Sequence, residues 1–445
     1  MAAIHIHSAR ARIRIALGGT MAKNTIWIFA GQGLSLVAQA VYFIVIARLL
    51  GTFQYGLFVG AAASVSIVSQ YSSLGSGLLF LRYVSPDHTR FPEYWGNILL
   101  STLSLGTVLV LLLAAVSPWL LHGVALRLVV LLAIAECICG SLTIAMSQIF
   151  QAFEKMRYTA ILSLMTTCAR MSIAVFLLIA LHHADATQWV VASISVSAGA
   201  TIAALILVTR HFGRPKFEPR LFLQRAYEGL IFAVSGSTTS VYNDVDKAML
   251  AHLGMNAANG IYTMAYRLID IGTIPIRSIH AAAFPRFFRH GAAANGLRAT
   301  EQFARKLLRK TSIIGLAAAA ALFLFAPIIP HLVGKGFASS VLALRWLCPI
   351  PFFRAFQLSA GDALAGAGKQ SWRLAAQMLA AAVNVAMNLY LIPRYSWHGA
   401  AWASLATDGV LGVSLWSVVT WMKHIPQVAT IALPGITLYD VEAEI

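Results

Sequence analysis

The sequence predicts an all-α membrane protein of twelve transmembrane helices arranged as two six-helix bundles. Three observations lead there. Of 445 residues, 59% are hydrophobic and 11% charged, with a mean hydropathy of +0.74, whereas a soluble domain carries about 25% Asp, Glu, Lys and Arg. Apolar runs long enough to cross the roughly 30 Å hydrocarbon core at about 1.5 Å per helical residue recur twelve times along the chain. A turn sequence also returns, slightly altered, at the matching place in each half.

The runs cover 25–49, 56–81, 97–120, 126–150, 158–181, 188–209, 229–253, 259–284, 311–330, 338–366, 372–393 and 399–421. Six lie on each side of a basic connection over 211–228, giving bundles over 24–210 and 229–422 with tails over 1–23 and 423–445. The longest hydrophilic pieces, 210–228 and 285–310, are too short for a soluble catalytic domain. Any activity is therefore expected within the membrane.

The net charge of +17 follows the membrane. Even-numbered connections and the tails hold 23 Lys and Arg, while the opposite side holds only Arg48, Arg127, Lys335 and Arg394. By the positive-inside rule both termini are expected in the cytoplasm. Nucleic acid is not an expected partner, because no basic stripe with interleaved aromatics lies on a polar domain. Cys137, Cys139, Cys168 and Cys348 all fall inside spans, so neither a disulfide framework nor a metal site is expected. No cofactor is expected. The first twenty residues lack the continuous apolar core of a cleaved signal peptide, and Met21 is a second candidate start.

Between spans one and two, residues 47–58 read ARLLGTFQYGLF; between spans seven and eight, residues 251–262 read AHLGMNAANGIY. Leu50-Gly51 answers Leu253-Gly254, and Gly56 answers Gly260. Glycine supplies positive φ at such turns. Equal span numbers and equal orientation in the two halves mean a parallel repeat, an arrangement in which many transporters bind cargo at the midplane between halves.

The turn at 47–58, SSLGSGLLFLRYVS over 72–85, LGMNAANGIYTMAYRL over 253–268 and VNVAMNLYLIPRYSWHGAAWAS over 383–404 resemble the Wzx-type polysaccharide flippases. These form a branch of the multidrug, oligosaccharidyl-lipid and polysaccharide (MOP) exporter superfamily. The resemblance runs from about Asn24 to Lys423, and the last block matches at Asn388, Pro393, Gly399, Ala400 and Ala401. Ser396-Trp397 stand where members usually carry a Gly. The resemblance implies a V-shaped pair of bundles in the bacterial inner membrane, moving a polyprenyl-pyrophosphate-linked oligosaccharide from the cytoplasmic to the periplasmic leaflet. A polysaccharide polymerase and its chain-length machinery are the implied partners, beside membrane lipids.

A charge at mid-bilayer costs about 2.5–3.5 kcal/mol on insertion scales, so it is kept where it faces a cavity or a partner. Six spanning cations, Arg170, Lys247, Arg267, Arg277, Arg345 and Arg354, accompany Glu136, Asp244, Asp246, Asp270, Asp362 and Asp408. On span seven Ser235, Thr239, Tyr242 and Asp246 share a helical face; on span eight Thr263, Arg267, Asp270 and Arg277 do, with Pro275 able to kink the helix. Both stripes are expected to line a lumen. Its six cations suit a pyrophosphate, which a guanidinium matches with paired hydrogen bonds. Asp246, Asp270 and Asp408, then Asp244, are the candidates for ion coupling, since a desolvated carboxylate takes up a proton more readily. The bland alternative makes each a neutralising partner, Asp244 more so than Asp246. Glu136 and Arg170 are expected to form a structural pair.

ALAGAGKQ over 363–370 imitates a phosphate loop but lacks its first Gly, ends in Gln and follows a helix, so it reads as the end of span ten. His5, His7, His182 and His183 lack companions at ligand spacing. Two rival functions stay open. One is an ion-coupled exporter of a drug or of lipid II, and the other a membrane polysaccharide polymerase or ligase. The cationic lumen disfavours cationic drugs, the span count disfavours lipid II, and the short outer connections disfavour an enzyme.

Overall fold

The computed structural model describes residues 20–121, 123–292 and 296–422, with side chains from Ala38 onward except that of Met156. The tails with Arg10, Arg12, Arg14 and Lys423 lie outside the described residues. Every regular element among the described residues is helical. In chain order these are α1 (Thr20–Ser69), α2 (Ser76–Val84), α3 (Phe91–Leu120), α4 (Leu126–Ala133), α5 (Ser141–Ala152), α6 (Met156–Leu181), α7 (Ala186–Phe212), α8 (Pro219–His252), α9 (Asn256–Gly291), α10 (Gly296–Phe325), α11 (Ile329–Val333), α12 (Ser340–Leu347), α13 (Ile350–Gly366), α14 (Gln370–Tyr395) and α15 (Trp397–Met422).

These elements realise the twelve spans. Runs one and two share α1, which breaks at Gly51 (φ 66°, ψ 177°). Run two is interrupted by a turn with positive φ at Leu74 and Gly75 before α2. Run four is α4 and α5 joined by a π-helical segment, Ile134–Gly140. Run ten is split into α12 and α13, because Pro349 and Pro351 have no N–H for the helical ladder. The ALAGAGKQ segment ends α13, with Gly368 left-handed (φ 71°) and Lys369 N–H on the Leu364 carbonyl at 2.8 Å.

Among the described residues nine stretches are long and apolar enough to cross a membrane. Helices α8 and α9, of 34 and 36 residues, have the length but not the apolarity. Elsewhere large apolar side chains face outward, Trp119 and Ile179 among them, as lipid contact requires.

The chain divides into two compact units. The first takes the described residues of Met1–Gly272, Ala320–Cys348 and Ala380–Thr407; the second takes those of Thr273–Ala319, Pro349–Leu379 and Asp408–Ile445. The later six spans thus contribute to both.

Within the first unit the repeated turns meet. Gly51 and Gly254 both take left-handed φ, 66° and 70°. Beyond them α1 and α9 cross in contact. A Cβ on Gly56 would strike the Asn256 carbonyl, and one on Gly260 would strike the Thr52 carbonyl. Thr52 and Asn256 are separated by the same 204 positions as Gly56 and Gly260, so the crossing is reciprocal, as an isologous contact is. Asn259 Nδ2 bridges the crossing, donating to the Gly56 and Lys247 carbonyls at 3.0 Å each. A buried cluster around Phe80, Phe91, Trp95 and Phe150 fixes α2, α3, α5 and α7. Its stacked pair Phe153–Phe212 has centroids 4.3 Å apart, and such pairs add about 0.5–1.5 kcal/mol beyond burial.

Candidate functional site

A cavity of about 390 Å³ opens in the first unit, inside the ~300–1,000 Å³ range of ligand sites. Each helix offers it one face: Gln39, Tyr42 and Phe43 before the break in α1, Phe58, Ala62 and Ser66 after it, Thr167 and Arg170 on α6, Asp244 and Lys247 on α8, and Arg267 on α9. These steps of three, four and eight positions are those of a single helical stripe. Glu136 arrives differently, on the π-helical segment. Widened turns of this kind cluster at functional sites.

Three cations and two carboxylates therefore converge from both halves of the sequence. Lys247 Nζ lies 2.7 Å from Asp244 Oδ1, donates to the Asn243 carbonyl at 2.6 Å and sits 5.3 Å from the Tyr266 ring centroid. The other oxygen of Asp244 accepts from Ser66 Oγ at 3.1 Å. Lys247 is thus largely neutralised where it stands.

The two arginines are less committed. Arg170 donates from Nη2 to Ser197 Oγ at 2.8 Å, and Arg267 lies over the Phe43 ring with Cζ 4.5 Å from the centroid and the Asp270 carboxylate 4.0 Å from Nη1. The Nε of each is buried with no hydrogen-bond partner among the described residues. A buried, unspent guanidinium donor is costly unless a ligand takes it.

Several sequence-based expectations need correction. Asp246, expected in the lumen, is 3% exposed and closed off: Tyr262 donates to it, and Ser404 Oγ lies 3.4 Å from Oδ2. Asp244 is the neutralising partner expected of it, paired with Lys247 at 2.7 Å, and it lines the cavity as well. Polarity along α8 is satisfied inside the fold at position 246, by hydroxyls that helical phase does not reveal. The expected Glu136–Arg170 pair is not an ion pair in the structure, since Arg170 turns to Ser197 while Glu136 lines the cavity.

Three of the six expected cations line the first unit's cavity. Arg170, Lys247 and Arg267 share the cavity. Arg277 shares a helix with Arg267 but is exposed and belongs to the second unit. Arg345 is exposed, its Cζ 5.0 Å from the Phe323 centroid. Arg354 lies half-buried in the second unit. Beyond the break at Pro349 the helical phase is lost, so its facing is not readable from sequence. Asp270 flanks Arg267, and Asp408 is buried in the second unit, accepting from Gln357 Nε2 at 2.8 Å.

A pair the sequence does not announce sits in the second unit: His280 Nδ1 lies 2.8 Å from Asp362 Oδ2, both buried. A lone His in an apolar run carries no spacing signal. Hydroxyls and amides escape notice likewise. Two further cavities of about 370 and 300 Å³ adjoin, and Glu136 lines all three.

Tyr262→Phe should test the closed network. Removing the hydroxyl shared by Asp246 and Ser404 is expected to lower stability in detergent by about 1–3 kcal/mol, read as a lower Tm, with cavity residues untouched.

The model of the family described as "Polysaccharide biosynthesis protein" matches residues 21–290. The chain belongs to that family. No curated protein matches. Among solved structures, the inward-facing conformation of a multidrug resistance MATE family transporter of the MOP superfamily superposes with a TM-score of 0.72 at 15% identity, covering 86% of this chain and 95% of that one. The MATE multidrug transporter DinF-BH gives 0.63 at 16% identity, covering 90% and 95%. At such identity the likeness shows the fold. This member of the polysaccharide biosynthesis family therefore has the all-helical fold of a MOP-superfamily membrane transporter.

Proposed function

We propose that the protein is a flippase. It carries a polyprenyl-pyrophosphate-linked oligosaccharide from the cytoplasmic to the periplasmic leaflet of the bacterial inner membrane, supplying O-antigen, capsule or exopolysaccharide assembly. The halves 24–210 and 229–422 are the moving parts of alternating access, both termini are cytoplasmic, and a polymerase with its chain-length machinery receives the product. One observation carries this reading: Arg170 and Arg267 hold unspent Nε donors in one cavity of a chain from a polysaccharide family. A pyrophosphate supplies the acceptors that two guanidiniums lack. With Lys247 held by Asp244, a cationic drug would still meet the two arginines there, which disfavours multidrug export.

Deleting the gene tests the proposal. Surface polysaccharide should vanish while its lipid-linked unit accumulates facing the cytoplasm. Normal surface glycan together with altered drug sensitivity would overturn it.

A further inference from the structure

The cationic cavity is continuous in its lining with the cavity of about 370 Å³, since Ser66 and Glu136 border both. The chemistry changes across that border. The second cavity presents Ser69, Gln70, Ser73, Gln148, Ser235 and Thr239, and among the described residues neither Lys nor Arg lines it. Among the described residues that line it, the ionisable group is the Glu136 carboxylate, and the aromatic ring is that of Phe232.

The two amides are uncommitted. Among the described residues neither the Gln70 nor the Gln148 side chain makes a hydrogen bond. Each lies against a glycine: a Cβ on Gly236 would come within 2.8 Å of Gln70 Oε1, and one on Gly77 would collide with Gln148 Oε1. Missing side chains make room for these amides along the wall. An amide offers a donor and an acceptor together, which is what vicinal hydroxyls pair with. An aromatic face covers the apolar side of a pyranose ring.

We infer that this cavity is the glycan subsite, and that it selects uncharged sugars and disfavours acidic ones. The inference rests on the flippase reading, which places the pyrophosphate at Arg170 and Arg267 and so directs the first sugars across the shared border. A uronic acid there would bring its carboxylate beside Glu136 with no cation in the lining to pair with it. Like charges repel, and a carboxylate left without a partner keeps its desolvation cost. The third cavity is different in kind, because Arg170 lines it.

The test is ligand binding to the full chain in lipid nanodiscs. Three probes are compared: polyprenyl pyrophosphate alone, the same lipid carrying a neutral trisaccharide, and the same lipid carrying a trisaccharide with one uronic acid. The neutral glycolipid should bind about tenfold tighter than either other probe, the sum of a few hydrogen bonds. Gln148→Leu or Gln70→Leu should bring it down to the level of the sugar-free lipid without changing the latter. Equal affinity for the neutral and acidic glycolipids overturns the subsite, as does an equal loss for all probes in the leucine variants. Should a leucine variant fail to fold, the wild-type comparison of neutral with acidic probe decides alone. If the wild type binds none of the three, the flippase reading itself falls, and the subsite with it.

Discussion

Arg267→Ala should abolish complementation of a deletion strain, and Arg170→Ala should do the same. Each guanidinium brings a buried Nε that has no partner among the described residues. A charge-assisted hydrogen bond is worth about 1.5–3 kcal/mol, so losing even one weakens an anionic ligand by roughly tenfold to a hundredfold. Lysine keeps the charge but not the paired fork, so Arg267→Lys should retain part of the activity. The two residues would hold one ligand, so the double variant should lose less than the summed effects. Arg345→Ala is the control: its guanidinium is exposed against Phe323, away from the cavity, and surface glycan should stay near the wild-type amount. Full activity in both Arg170→Ala and Arg267→Ala, with the protein inserted, would remove the cationic cavity from the mechanism.

The second large effect is expected where no charge is involved. Gly56→Val should prevent accumulation of folded protein, and Gly56→Ala should lower stability in detergent by about 1–3 kcal/mol, the usual cost of overpacking. The Gly56 Cβ position is occupied by the Asn256 carbonyl, and that of Gly60 by Ala251 and Asn259. Gly56 and Gly60 form a GxxxG pair, the spacing that lets helix backbones touch in a membrane. Gly260→Ala should cost as much, because it meets the Thr52 carbonyl in the mirrored contact. Gly199→Ala gives the contrast. That glycine lies in α7 with nothing within 4 Å of its Cβ position, so alanine should stabilise by about 0.5–1 kcal/mol. Thermal unfolding of the purified alanine variants reads these three, and the yield of folded protein reads Gly56→Val.

The helices were legible because hydropathy and length are local properties. The meaning of the repeat was legible too, since two Leu-Gly turns at matching positions announce two left-handed glycines, and Gly51 and Gly254 are such. That the same repeat brings Gly56 onto Gly260 required the fold. Arg170, Lys247 and Arg267 can be named from sequence as lumen cations, but a shared helical face says nothing of depth, and so Arg277, which is not among the residues lining their cavity, falls into one set with them. The misplacing of Asp246 in the lumen has a similar origin. Two residues apart on one helix, Asp244 and Asp246 differ in whether Tyr262 and Ser404 happen to reach them. The place of Glu136 is hidden because nothing in ordinary helical periodicity marks a π-helical segment. The hydroxyls and amides around it are hidden too, because single Ser, Thr and Gln residues are unremarkable in spans.

Helices α8 and α9 carry consequences for how the chain is made. They fall short of the apolarity of the other spans, and α8 brings Asp244, Asp246 and Lys247 into the bilayer. At about 2.5–3.5 kcal/mol for each charge near the centre, this hairpin does not partition from the translocon into lipid by itself. The groups that receive it, Ser66 for Asp244 and the Gly56 and Gly60 surface for α9, belong to α1, which is synthesised some two hundred residues earlier. The order of translation is therefore part of the design: the first six spans are a docking template already in the membrane when the polar hairpin emerges, holding the partners of Asp244 and of the α9 glycine face, while Ser404 reaches Asp246 only with the last span.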